Sequence, residues 1–357
     1  MDQLLEINNL RCGYDDQPVV NGLTLNVTSG SLVSLLGPSG CGKTTVLRAI
    51  AGFQAVTSGE IRLNGKVVSS PNVRIPPEQR NLGMVFQDYA LFPHLTVTEN
   101  IAFGLRHHTA AARQKNVDRL LELIGMEGYG QRYPTELSGG QQQRIAVARA
   151  LAPEPTLLLL DEPFSNLDVE LRERLAIDVR DMLHAQNATA IFVTHDQHEA
   201  FVMGERIGVM NEGRLLQWET PFNLYHEPAD RFVADFIGKG SFLRGEMSSS
   251  DTINTTLGRI SGNRAYPWAE GTPVDLLLRP DDVLIVEESP IRCTVTDRAF
   301  KGADTVYTLR LADGVEMHSL MPSRYDYPIG SEVGIEIDID HFILFPVEPE
   351  VVENSSP

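Results

Sequence analysis

Gly37-Pro38-Ser39-Gly40-Cys41-Gly42-Lys43-Thr44 is the stretch on which the rest of the chain depends. It fits the pattern Gly, four residues, Gly-Lys-Thr, a loop that holds the phosphates of a nucleoside triphosphate. Its glycines let successive backbone N–H groups turn inward around phosphate oxygens. Lys43 adds a full positive charge, and Thr44 offers a hydroxyl suited to Mg²⁺. Before the loop, Ser31-Leu32-Val33-Ser34-Leu35-Leu36 reads as a buried strand. After it, Thr45 to Ala51 has helical spacing, which would set the phosphates at a helix N-terminus. A chance match in a Gly-rich turn would not need this order of strand, loop and helix.

At 357 residues with 42% hydrophobic, the chain suffices for one large domain and a smaller one. It has no apolar run long enough to span a bilayer, and Met1 to Glu6 lacks the basic region of a signal peptide, so a cytosolic protein is expected. Cys12, Cys41 and Cys293 are scattered and in no metal-ligand spacing, which predicts reduced thiols, no disulfide and no zinc. Cys41 at a helix N-terminus would have a lowered pKa and could be reactive; the alternative is a small loop residue with no chemical role. A net charge of −18 argues against a general nucleic-acid surface. After Gly240 acidic residues outnumber basic ones 20 to 9, as on a solvated surface.

Leu4 to Val27 alternates as a small antiparallel sheet, and Tyr14 within it could stack on a base or simply sit on the surface. Gly59 to Val68 forms a hairpin about Asn64-Gly65. Leu82 to Phe86 is a buried-strand candidate ending at Gln87. From Asp88 the pattern turns helical, over Thr98 to Leu105 and Val117 to Ile124. That insertion closes at Leu137-Ser138-Gly139-Gly140-Gln141, and a new helix runs from Gln142 to Leu151. Leu157-Leu158-Leu159-Leu160-Asp161-Glu162 is an apolar strand ending in two carboxylates, and Ala190 to Thr194 repeats the arrangement with His195 at its tip. Strand ends in parallel sheets hold active sites. Taken singly, Asp161 could cap a helix, Glu162 could be a surface acid and His195 a hydrogen-bonded core histidine. Ile207 to Leu216 adds a last hairpin. Beyond Gly238-Lys239-Gly240, short alternating strands, with Val333, Ile335, Ile337 and Ile339 on one face, read as an all-β barrel or sandwich. Glu353 to Pro357 reads as a frayed tail.

Phosphate loop, Gln87, Leu-Ser-Gly-Gly-Gln, Asp161-Glu162 and His195, in that order, resemble the ATP-binding cassette (ABC) family, over Leu4 to Gly238. Ser165-Asn166-Leu167-Asp168 and Pro228 to Gly238 look like its importer branch. The resemblance implies an α/β fold of the P-loop NTPase class, residues 1–238, with a mixed sheet, an antiparallel β subdomain and a helical subdomain at about 88–150. It further implies a homodimer, docked under a permease that receives solute from a binding protein. ATP would lie on Gly37, Pro38, Ser39, Gly40, Cys41, Gly42, Lys43, Thr44 and Thr45, with Tyr14 against the adenine. Ser138, Gly139, Gly140, Gln141 and Asp168 would reach it from the second subunit. Thr44, Gln87 and Asp161 would surround Mg²⁺; Glu162 would be general base, His195 would hold the γ-phosphate, and Lys43 would stabilise charge. The segment from Phe86 to Val97 would line the permease groove.

Leu276 to Val283 resembles the accessory β domain of importer cassettes, here 239–357 and OB/TOBE-like. By overall look the solute expected is ferric iron, with polyamine, sugar or oxyanion as the alternatives. The subunit would lie on the cytoplasmic face of the inner membrane. A non-transport cassette, acting as a clamp in DNA repair or translation, is the rival class; it predicts basic grooves or inserted coiled coils, and the sequence carries neither. A small-molecule kinase would leave the Ser138 stretch and His195 unexplained.

Overall fold

A computed structural model describes residues 3–14, 17–339 and 341–347. The expected frayed tail at Glu353 to Pro357 lies outside the described residues. The chain divides into two compact units, Met1–Pro221 and Phe222–Pro357.

The first unit opens with β1 (Gln3–Tyr14) and β2 (Gln17–Thr28), paired antiparallel, followed by β3 (Leu32–Leu36) and α1 (Lys43–Ala51). Next come β4 (Ser58–Leu63), β5 (Lys66–Ser70), β6 (Val73–Arg74) and β7 (Leu82–Val85). The helical stretch holds α2 (Val97–Ala102), α3 (Ala110–Leu123) and α4 (Gly139–Leu151). The unit closes with β8 (Leu157–Asp161), α5 (Val169–Ala185), β9 (Ala190–Thr194), α6 (Gln197–Met203), β10 (Arg206–Asn211) and β11 (Arg214–Glu219). One sheet is antiparallel, in the order β2-β1-β4-β5-β6, and its β4–β5 turn has Asn64 at φ 48° and Gly65 at φ 71°, as a type I′ hairpin needs. The other, β11-β10-β3-β9-β8-β7, is parallel from β10 to β7.

Strands β3, β8 and β9 are buried along their whole length. Their alternate residues feed two cores: Val33, Leu157, Leu159, Ile191 and Val193 join α1 and the antiparallel sheet, while Leu32, Leu158, Leu160 and Phe192 join the helical core with Ile145 and Val179. Period-2 side-chain alternation between two covered faces explains why these strands are almost wholly apolar, Ser34, Asp161 and Thr194 apart. Each fully buried Leu or Val contributes about 1.5–3 kcal/mol.

Two expectations need correction. Strand β7 is half-buried, because it is the edge of its sheet: Gly83 and Val85 are buried, while Leu82 and Met84 pack against the core of α1 and the antiparallel sheet but stay partly exposed. Helix α4 starts at Gly139, not Gln142: Ser138 is its N-cap in a capping box with Gln141, which draws both glycines into the first turn.

The second unit carries α7 (Pro221–His226) and α8 (Arg231–Ile237), then, among the described residues, ten strands. Five of them, β12 (Ser241–Ser249), β13 (Thr252–Thr255), β14 (Gly258–Ser261), β15 (Pro273–Leu278) and β21 (Leu344–Pro346), form a sheet ordered β14-β13-β12-β15-β21. The others, β16 (Val283–Val286), β17 (Arg292–Phe300), β18 (Asp304–Arg310), β19 (Glu316–Pro322) and β20 (Glu332–Ile337), run β16-β20-β17-β18-β19. Ser319 Oγ donates to the Val283 carbonyl at 2.5 Å and the Leu320 N–H to the Pro280 carbonyl at 2.7 Å, so β19 comes back toward β16 as in a small barrel. Both sheets share one core around Leu243, Leu276, Val295, Tyr307 and Ile335.

The boundary between units falls at 221/222, ahead of the 238/239 division read from composition. The buried Arg279 guanidinium donates to the carbonyls of Tyr225, Ala234 and Gly238, and Arg231 pairs with Asp275, so α7 and α8 are held by the β unit.

Candidate active site

Because β3, β9, β8 and β7 are parallel neighbours, their C-terminal ends lie along one edge, and the motif residues follow those ends. The loop from Gly37 to Gly42 joins β3 to α1. Gly42 is the α1 N-cap at φ 104°, a left-handed conformation that other residues adopt only under strain. A Cβ on Gly37 would lie 2.2 Å from the Met210 carbonyl, so the loop start tolerates no side chain. The loop is also tied to the β10–β11 turn, where the Gly213 N–H donates to the Cys41 carbonyl at 3.1 Å. Ser39 and Gly40 are exposed, Pro38 is half-buried, and Thr45 is buried.

Lys43 is 5% exposed, and its Nζ donates to the Gly37 carbonyl at 2.7 Å and the Pro38 carbonyl at 3.0 Å. No carboxylate is paired with it among the described residues. The Cys41 thiol lies 3.8 Å from Lys43 Nζ. Burial pushes this thiol up, and the lysine charge pulls only partly the other way. The lowered pKa expected for Cys41 is therefore corrected: removal from water outweighs the Lys43 charge and the hydrogen bonds that oppose it.

Thr44 Oγ1 donates to Asp161 Oδ1 at 2.8 Å, joining the phosphate loop to the end of β8. Asp161 is 8% exposed; burial raises its carboxyl, the Thr44 bond opposes this, and the neighbouring Glu162 charge adds to it. Glu162 has a left-handed backbone at φ 44° and donates its N–H to the Val193 carbonyl of β9 at 2.9 Å. Its Oε2 stands 3.2 Å from His195 Nδ1. Two residues thirty-three apart in sequence thus meet because β8 and β9 are paired.

Other predicted residues lie apart from this cluster. Gln87 is exposed just beyond β7; its carbonyl accepts from Asn166 Nδ2 at 2.9 Å, and among the described residues no hydrogen bond joins its side chain to Thr44 or Asp161. Tyr14, 43% exposed at the end of β1, accepts at 3.4 Å from Arg48 of α1. Ser138 and Gln141 bond to one another across the first turn of α4, and a cavity of about 290 Å³ beside them is lined by Tyr129, Arg144 and Leu171 but by no phosphate-loop residue. A Cβ on Gly140 would lie 2.7 Å from Leu175 of α5, so close helix packing requires the glycine. Asp168 is the N-cap of α5, accepting from the Leu171 N–H at 3.0 Å.

Sequence reasoning missed the groups that hold these loops. Ser165 Oγ donates to the Glu162 carbonyl and Asn166 to that of Gln87, while Arg172 reaches the Leu167 carbonyl at 3.0 Å. The available signal was local: an arginine one turn inside α5, and Asp196 with Glu199 on the first turn after His195.

The ABC transporter family matches residues 20–165 and the TOBE domain residues 276–345. Spermidine/putrescine import ATP-binding protein PotA of Bacteroides thetaiotaomicron is 40% identical over 93% of this chain and 71% of its own length. The protein of the same name from Bacteroides fragilis is 39% identical over the same shares. Among solved structures, a dimeric post-hydrolysis ATP-binding cassette bound to ADP and Pi aligns with TM-score 0.53 at 30% identity, covering 61% of this chain and 98% of that one. The cbiO1 protein of Clostridium perfringens, part of the ABC transporter complex cbiONQ, aligns with TM-score 0.59 at 28% identity, covering 64% and 93%.

Proposed function

The chain belongs to the ABC transporter family as an ATP-hydrolysing importer subunit with a C-terminal TOBE domain, and we propose that the solute it serves is a polyamine. The observation that carries the solute is that two relatives named for spermidine and putrescine import align over nearly the whole chain, β unit included. The ferric-iron expectation gives way to its polyamine alternative on this ground. In general appearance importer cassettes of these solutes are alike, so the earlier preference had no residue of its own behind it.

The hydrolytic roles follow from the edge of the parallel sheet. ATP is the substrate, its phosphates on the 37–45 loop and the N-terminus of α1. Lys43 is a buried cation bonded only to carbonyls and near a thiol, so it can turn its charge toward phosphate oxygens without breaking an ion pair. Thr44 and Asp161 fit a divalent cation: they are hard oxygen donors in contact, and the buried Asp161 carboxyl is in no ion pair with a lysine or arginine among the described residues. Mg²⁺ held there, with Gln87 reachable by a shift of its loop, would neutralise charge on the phosphates. Glu162 accepts the proton of the attacking water, and a proton on His195 Nδ1 would orient that carboxylate. His195 then contacts the γ-phosphate.

Among the described residues of one copy nothing brings Ser138 to Gln141 or Asp168 onto the phosphate loop, and the similar cassette solved as a dimer supports a homodimer in which the second copy supplies them. The subunit would work beneath a membrane permease at the cytoplasmic face, fed by a solute-binding protein; no helix among the described residues is long and apolar enough to cross a membrane.

The test is uptake of labelled spermidine, Fe³⁺ and maltose by cells lacking this subunit and complemented with wild type or Glu162→Gln. Loss of spermidine uptake restored by wild type alone supports the proposal. A deficit confined to Fe³⁺ or maltose overturns the solute and leaves the importer ATPase standing.

A further inference from the structure

Outside the residues assigned to ATP, a set of ionic contacts lies behind His195. Arg172 on the first turn of α5 sends its guanidinium in three directions. One Nη donates to the Leu167 carbonyl, immediately before Asp168, at 3.0 Å, and the other to Asp196 Oδ2, immediately after His195, at 3.3 Å. Its Nε is 3.5 Å from Glu199 Oε1, an ion-pair distance without hydrogen-bond alignment. Glu199, 6% exposed on α6, accepts from Thr194 Oγ1 at 2.5 Å, and Thr194 Oγ1 accepts from the Asp196 N–H at 3.0 Å. Asp196 also caps α6, taking the His198 and Glu199 N–H groups. Both sequence neighbours of His195 are therefore pinned, and through one arginine they are pinned to the backbone beside Asp168.

We propose that Arg172 is a positioning residue that locks the Asp168 loop to the His195 loop. This rests on the reading in which His195 faces its own nucleotide and Asp168 the nucleotide held by the second copy. On that reading Arg172 makes the state of one site felt at the other: a partner nucleotide that moves Asp168 shifts the Leu167 carbonyl, and the rigid guanidinium fork carries the shift to Asp196 and His195. A lysine keeps the charge but cannot keep three divergent contacts.

The experiment measures kcat and KM for ATP on the full chain for wild type, Arg172→Ala, Arg172→Lys, His195→Ala and the Arg172→Ala/His195→Ala pair, with melting curves for each. Both Arg172 variants should lose about tenfold or more in kcat with KM changed less than about threefold, and Arg172→Ala should cost less than about twofold more once His195 is gone. Wild-type kcat in Arg172→Ala, full activity in Arg172→Lys, or a loss that multiplies undiminished in the His195→Ala background each overturns the lock. Near-normal turnover in His195→Ala overturns the reading beneath it, and the lock with it, which separates the two failures. Should Arg172→Ala not fold, Asp196→Asn replaces it: an oxygen remains to cap α6, the ion pair with Arg172 is lost, and unchanged kcat there overturns the proposal.

Discussion

Each unit buries an aspartate at a strand, and the two are surrounded in opposite ways. Asp275 of β15, 3% exposed, lies against two guanidinium groups, Arg231 and Arg244. Asp161 of β8, 8% exposed, has one hydroxyl bond from Thr44 and a second carboxylate, Glu162, as its chain neighbour; Lys43 and Arg48 act on it only from a distance, and among the described residues it is in no ion pair. The buried cations divide likewise. Arg279 spends its fork on the carbonyls of Tyr225, Ala234 and Gly238, with its charge over the Tyr225 ring, whereas Lys43 has two loop carbonyls and a thiol. A buried charge with a full set of partners fixes architecture; one left short of opposite charge is arranged to receive it from outside. That difference, more than burial itself, separates the catalytic unit from the accessory one.

The contrast breaks first, if it is wrong, at Glu162. Replacing it with Gln should lower ATP turnover by about 10² to 10⁴ while nucleotide binding persists, read by phosphate release and by equilibrium binding of labelled ATP. Near-normal hydrolysis would show that the Glu162 carboxylate is not used for proton removal. Arg279 tests the other side. Arg279→Met removes the donors of three carbonyls and should destabilise the β unit by about 3 kcal/mol, seen as a lowered melting transition, with ATP binding retained. Loss of binding without a stability change would place Arg279 with the catalytic charges instead.

The smallest effect concerns Asp282, whose carboxyl burial pushes up to about 6 although it accepts from the Arg279 N–H at 2.6 Å. A carboxyl raised in the folded state binds its proton more tightly there than when unfolded. Its contribution to stability is therefore full below the ordinary aspartate range and is lost as pH rises through about 6. Asp282→Asn should remove this component, making the variant more stable than wild type at pH 7 relative to pH 4 by about 1–3 kcal/mol. Paired denaturant titrations at the two pH values measure it, and identical pH dependence in both proteins would contradict the assignment.

Much of the first unit was legible because its signals are local. Apolar runs at Leu32–Leu36, broken only by Ser34, and at Leu157–Leu160 and Ala190–Val193 announced fully covered strands, and Asn64-Gly65 announced its turn. Ser138 with Gln141 is a capping box in plain sequence, yet the start of α4 was placed three residues late, since two glycines do not look helical until Leu171 and Leu175 of α5 are seen against Gly140. The division between compact units at 221/222 is not written locally for a similar reason. Composition changes at Gly240, but the contacts that hold α7 and α8 come from Arg279, far along the chain.

The sequence by itself determined the phosphate loop, the acids ending β8, the histidine ending β9 and the all-β character of the C-terminal unit, because each is written in residues that are chain neighbours. Only the tertiary structure decided that Glu162 and His195 stand 3.2 Å apart, that Cys41 is buried with its thiol pushed up, and that Arg172 joins the loops of Asp168 and His195. Those facts depend on which strands pair and which helices cover them. Such contacts join residues remote along the chain, and their energies are set by burial that no local pattern records.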